Sequence, residues 1–197
     1  MVTISNISQF DRLYEKNYVK LPISQEIRKI ATQKAKEDIR NANVSGLVSR
    51  FQTDELYNKI TGNIGELVFE NWLQENGINY RMDNCTGRAD KFDFKINDKT
   101  WDIKTANRNM PIETIRKNFG FLINREQARK PYDFYFGILL HGDFAYLMGF
   151  IGKEMLDDYG INEDYDIETQ ALKIPLSDLI EPSKCFNIMD SSRMGAF

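Results

Sequence analysis

Histidine is nearly absent from this 197-residue chain, which carries only His141. Zinc hydrolases, histidine-based nucleases and iron facial triads each need two or more imidazoles, so those chemistries are excluded, and a Ser-His-Asp triad could be built only around His141 itself. Cysteine is as scarce: Cys85 and Cys185 are lone thiols with no second cysteine at metal-ligand spacing, a pattern that suits a reduced, intracellular protein. No apolar run approaches the ~18 residues of a membrane span, and the first residues show no basic-then-apolar signal pattern, so a cytoplasmic protein without a membrane partner is expected. Five prolines and twelve glycines are spread thinly, with no repeat or low-complexity tract to mark a linker. Positive charge is short as well: the formal net charge of -3 argues against a protein that coats nucleic acid through one broad positive field. What is present, 42% hydrophobic and 28% charged residues, is enough to build a core and excludes disorder.

The apolar spacing of Ile27, Ile30, Ala31, Ala35, Ile39 and Ala42 after Ser24 predicts an amphipathic helix over 24–42 with a basic outer face. A second helix is expected from an N-cap at Thr53 to Gly77. Leu56, Ile60, Ile64, Leu67, Val68 and Trp72 form one of its faces, and Gly62, Gly65, Phe69 and Leu73 form another, so it should lie between a sheet and the first helix, with Glu66 at the stripe edge. The period then changes to alternation over 78–82, 91–97 and 100–105. Residues 107–130 are polar and basic and should hold a short helix, whereas 132–140 and 144–152 read as a hairpin closed by His141-Gly142-Asp143. Beyond Lys153 a helical start at 154–159, an acidic stretch and an edge strand over 172–176 are expected.

The chemistry concentrates in 91–105. A tight turn at Asn97-Asp98 would set Phe94 opposite Trp101 and Phe92 opposite Ile103 on the apolar face. The same register sets Asp93 opposite Asp102 on the polar face, ~5 Å apart at Cβ, with Lys104 two residues along on the same side. Two carboxylates so close repel unless a cation lies between them, and hard oxygens without imidazole or thiolate suit Mg²⁺, with Mn²⁺ able to substitute. A lysine beside them can orient and help deprotonate the attacking water; these are the parts for metal-assisted phosphodiester hydrolysis.

At these residues the chain resembles the PD-(D/E)XK nuclease superfamily, whose motif is an acidic residue on one strand and (D/E)-x-K on the next: here Asp93 and Asp102-Ile103-Lys104. Gly62-Asn63-Ile64-Gly65-Glu66 is similar to that family's N-terminal helix, which brings an additional metal-site glutamate. The resemblance implies an α/β (α+β), restriction-endonuclease-like core: a central mixed β-sheet of about five strands flanked by helices, in the order α-β-β-β-α-β. It implies one nuclease domain comprising a helical part (1–53), a catalytic core (54–152) and an acidic extension (153–197). It also implies a Mg²⁺-dependent DNA endonuclease in which Asp93 and Asp102 bind metal, Glu66 is an auxiliary ligand and Lys104 activates water. Cutting both strands of a duplex with one site per chain is simplest for a homodimer. Phe92 stands where the family has proline, and Ala89-Asp90 competes for the first acid, but in a continuous strand Asp90 would point to the core face.

Charge is regional. From Lys104 to Lys130 the net charge is +5, from Lys153 to Glu181 it is -7. Arg108, Arg116, Lys117, Arg125, Arg129 and Lys130, which follow the proposed metal strand, are the expected contacts to a DNA backbone. Competing readings are a solvated polar sheet face, a non-catalytic nucleic-acid-binding or assembly module on the same fold, and a resolvase or exonuclease with the same site. In the acidic tail, Ile167 and Lys173 occupy the positions where a calcium loop needs glycine and glutamate, so that stretch reads as solvated surface.

Overall fold

The structure, a computed structural model, describes residues 18–44, 55–83, 92–109, 119–124, 128, 130–158 and 171–189. A short strand, β1 (Val19–Pro22), leads into α1 (Gln25–Val44). Ser24 caps that helix as expected, its Oγ accepting the Ile27 N–H at 3.1 Å. α2 spans Glu55–Glu75. It ends in a Schellman motif: Gly77 takes φ +68°, and the N–H groups of Ile78 and Gly77 reach the carbonyls of Leu73 and Gln74, both at 3.0 Å. There follow β2 (Arg81–Met82), β3 (Phe94–Ile96), β4 (Lys99–Asn107), β5 (Gly120–Asn124), β6 (Phe134–His141), β7 (Phe144–Gly152), β8 (Ala171–Pro175) and a short α3 (Cys185–Met189). A six-residue 3₁₀ helix lies at Lys153–Asp158 and single 3₁₀ turns at Leu176–Asp178 and Pro182–Lys184.

Six strands rather than about five form one mixed sheet in the order β1-β7-β6-β4-β3-β2. Only β4 and β6 pair in parallel, Trp101 beside Phe134 through Asn107 beside Leu140. Asp133 staples this pair at its start: its carboxylate accepts the Thr100 N–H at 2.8 Å and the Thr100 hydroxyl at 2.9 Å, with Lys99 Nζ at 3.2 Å. The β6–β7 hairpin turns through Gly142 and Asp143, with His141 opposite Phe144 as the last strand pair.

Alternation divides the core between the two faces of the sheet. Trp101, Ile103, Phe136, Ile138 and Leu147 pack under Val68, Phe69, Trp72 and Leu73 of α2, and α1 packs on α2 in turn. Tyr135, Leu139, Tyr146 and Ile151 face the other way, under a two-stranded sheet of β5 and β8 that contributes Phe121, Ile123 and Ile174. Each such fully buried side chain contributes about 1.5–3 kcal/mol. Within 107–130, Gly120–Asn124 is a strand and Ala128 is helical, and the remainder of the stretch expected to hold a short helix lies largely outside the described residues. Thr53 and residues 110–118 lie outside the described residues. Leu56, expected on a buried face, is 40% exposed. Among the described residues no helix is long and apolar enough to cross a membrane.

Candidate active site

Asn97 and Asp98 take positive φ angles of 46° and 63°, the geometry of a two-residue hairpin turn, and this fixes the predicted register: Phe94 lies opposite Trp101 and Lys95 opposite Thr100. The ladder stops there. Asp93 is a bend before β3, not a strand residue, and its N–H donates to the Trp101 carbonyl at 3.1 Å. Its carboxylate curls onto the edge of β4, where Oδ2 accepts the Ile103 N–H at 2.6 Å. The bend also corrects the placement of Phe92, which packs with the cluster under β5 and β8 instead of opposite Ile103.

Because β3 pairs only with Lys99–Trp101, no strand among the described residues covers that side of β4 from Asp102 onward. Site groups from both faces of the sheet meet at this open edge. Asp102 is buried, and Lys104 Nζ contacts its Oδ2 from the same face. Thr105 points the opposite way, against Gly65 of α2. A Cβ at Gly65 would overlap Thr105 Oγ1, so helix and strand approach as closely as a glycine allows. Gly62, the other glycine of that stripe, has open space around its Cβ position. One residue past Gly65, Glu66 pairs through Oε2 with Lys34 Nζ of α1 at 2.7 Å.

The electrostatics are those of an under-compensated acidic site. Burial, then the charges of Asp102 and Glu66, push the Asp93 carboxyl up to about 8, against the opposing Ile103 N–H and the Lys104 ammonium. Tyr135, on the same face as Asp102, has its phenol pushed upward by burial and by the Asp102 charge. Three buried side-chain polar atoms among the described residues have no hydrogen-bond partner, Trp101 Nε1, Asp102 Oδ2 and Thr105 Oγ1, and all lie on β4. Asp102 Oδ2 meets Lys104 as an ion contact, not as a well-angled hydrogen bond. Trp101 Nε1 and Thr105 Oγ1 lie on the α2 face of β4, in the core and against Gly65, and only Asp102 Oδ2 faces the acidic site.

A divalent cation fits this donor set in charge and in hardness: the buried Asp102 carboxylate, whose Oδ2 has the Lys104 ion contact but no hydrogen bond, and the half-buried Asp93 carboxyl, pushed upward by burial and by the Asp102 and Glu66 charges. Glu66 is turned to Lys34, and among the described residues no three acidic, histidine or cysteine side chains are grouped closely enough to cage a metal by themselves. Of the expected DNA contacts, Arg108 stands just past β4 with its guanidinium 5.4 Å from the Phe119 ring centre, and Lys130 Nζ lies 5.7 Å from that of Tyr132. Arg116, Lys117, Arg125, Arg129 and the competing Asp90 lie outside the described residues. His141 is a strand-end residue whose Nδ1 is 3.0 Å from the Arg108 carbonyl. Sequence reasoning missed Lys34 and Tyr135, because nothing in the spacing of α1 or β6 relates them to β4. Comparison of the chain with protein-family models, curated proteins and solved structures finds no match.

Proposed function

We propose that this chain is a Mg²⁺-dependent endonuclease that hydrolyses DNA phosphodiester bonds on a restriction-endonuclease-like core, working as a homodimer in the cytoplasm. The observation that carries this reading is the meeting of Asp93, Asp102 and Lys104 at the uncovered edge of β4, where burial and the Asp102 and Glu66 charges push the Asp93 carboxyl upward. When bound, Mg²⁺ or Mn²⁺ supplies positive charge and polarises phosphate and water. Asp93 and Asp102 would hold it, with Glu66 as an auxiliary ligand directly or through water.

The chain's own groups do the rest. The Ile103 N–H fixes the Asp93 carboxylate through Oδ2, so Oδ1 is the oxygen left to ligate. Asp102 keeps the Lys104 ammonium at the strand edge, where it can orient the attacking water and meet a phosphate oxygen. The water oxygen bonds to phosphorus, the bond to the leaving sugar oxygen breaks, and solvent exchanges the protons. Arg108, steadied by Phe119, would position the backbone without reading sequence.

The test is plasmid cleavage by the purified chain with and without Mg²⁺. Asp102→Ala and Lys104→Ala should each abolish metal-dependent cutting, and unchanged activity in either would sink the assignment. The engagement of Glu66 by Lys34 and of Asp93 Oδ2 by the Ile103 N–H favours one second reading, a non-catalytic nucleic-acid-binding module on the same fold. Calorimetry with Mn²⁺ separates the two, since the module would bind DNA and no metal.

A further inference from the structure

The open edge of β4 continues past the acid pair into a cleft of about 230 Å³ between α2, β4 and β5. Tyr57, Asn58 and Thr61 of α2 line one side, Lys104 and Arg108 another, and Phe121 a third. Lys104 is therefore common to the cleft and to the acidic site, and a group seated in the cleft is joined to whatever lies against the Lys104 ammonium. At ~30 Å³ per water molecule the space is that of about eight waters, room for one flat heterocycle and too little for a base pair.

The lining matches a nucleotide piece by piece. Tyr57 is 51% exposed, a large aromatic ring that the fold leaves uncovered beside the cleft. A ring in that setting is a stacking platform, which accepts a base of any identity. The buried Phe121 supplies an apolar wall, and Asn58 and Thr61 supply the amide and hydroxyl that meet a base edge. Arg108 brings the positive charge for a phosphate, and its main chain is pinned by the sheet: its N–H donates to the Leu140 carbonyl at 3.1 Å.

From this juxtaposition we infer that the cleft holds one unpaired nucleotide next to the scissile phosphate, its base on Tyr57 and its phosphate at Arg108, so that the preferred substrate is single-stranded or locally unpaired DNA. The inference rests on the nuclease reading for the identity of the group at Lys104. A fully stacked duplex would have to release a base to fill the cleft, which penalises it relative to a single strand.

The experiment uses the full chain and a short DNA strand carrying 2-aminopurine, a fluorescent base whose emission falls when it stacks. Binding is followed without divalent metal, and cleavage with Mg²⁺, for the strand alone and annealed to its complement. The single strand should bind more tightly and its emission should fall. Tyr57→Ala should weaken that binding between about fivefold and a hundredfold and abolish the emission change, and Tyr57→Phe should retain both. Tyr57 is exposed, so these variants fold. Equal affinity and emission change in Tyr57→Ala, or duplex bound as tightly with its base still stacked, would overturn the inference. The two readings fail separately: metal-dependent cleavage insensitive to Tyr57 removes the cleft assignment alone, whereas a Tyr57-dependent stacking signal without cleavage supports the cleft and removes the nuclease.

Discussion

Lys34 Nζ and Glu66 Oε2 stand 2.7 Å apart and tie α1 to α2 at the rim of the acidic site. Lys34 is 41% exposed and Glu66 23%, so the pair is worth at most about 1 kcal/mol to the fold. Its larger effect is on the site, because the ammonium offsets part of the negative charge that Glu66 contributes around Asp93. Lys34→Met is expected to tighten Mn²⁺ binding several-fold in calorimetry while the urea midpoint barely moves. Weaker metal binding would show instead that Lys34 holds Glu66 in its ligating position.

Two carboxylates give the metal-free chain opposite pH responses. Asp93 is raised from 3.8 to about 8 in the folded state, so between those values the folded chain holds a proton that the unfolded chain has lost. Stability therefore falls as pH rises through this window, and Asp93→Asn should remove the fall. For Asp133 burial works upward, but the hydrogen bonds from Thr100 and the Lys99 charge prevail and lower its pKa. Its contribution is present above the ordinary carboxylate range and is lost as pH falls through the lowered value, so Asp133→Asn should flatten the acid limb. Thermal melts from pH 3 to pH 9 in a chelator, on the parent and both variants, check both limbs.

The two glycines of the α2 stripe should respond with opposite signs. A methyl group at Gly65 overlaps Thr105 Oγ1, and Gly65→Ala is expected to cost about 1–3 kcal/mol. Thr105→Ala should recover only part of the loss, since Thr105 Cβ itself would lie 2.9 Å from the new carbon. Gly62→Ala meets nothing within 4 Å and should stabilise the helix by about 0.5–1 kcal/mol. Denaturant titrations of the three variants decide it.

Cys185 is fully buried and burial pushes its thiol up to about 12, so the native chain should resist alkylation at neutral pH. In a Cys85→Ser background, the labelling rate should follow unfolding and rise with urea. Rapid labelling in the absence of urea would mean that α3 leaves the core readily.

What could be read from the chain in advance was whatever local chemistry decides. Ser24 as a cap, Gly77 as a helix terminus, and the Asn97-Asp98 turn with Phe94 opposite Trp101 all follow from short-range spacing. Asp93 was misplaced for a reason equally physical: alternation assumes a continuous strand, whereas its carboxylate competes successfully for the Ile103 N–H and breaks the ladder. β5 escaped notice because Gly120–Asn124 is a brief apolar run among basic residues and its partner, β8, is some fifty residues away. The Lys34–Glu66 contact and the Tyr57 cleft depend on how α1, α2 and β5 are set around β4, which no single stretch encodes.

The middle of β7 draws its neighbours from opposite ends of the described chain: Val19 pairs with Leu147, while Ile180 and Phe150 exchange hydrogen bonds at 2.8 and 3.0 Å. A ribosome must therefore have released the chain as far as Ile180 before β7 is fully partnered. Until then its edge is open to other chains, and folding waits on contacts of high sequence separation. A fragment cut at the acidic stretch would keep every residue of the proposed site and yet present unpaired apolar strands, so its expected fate is aggregation rather than a smaller working enzyme.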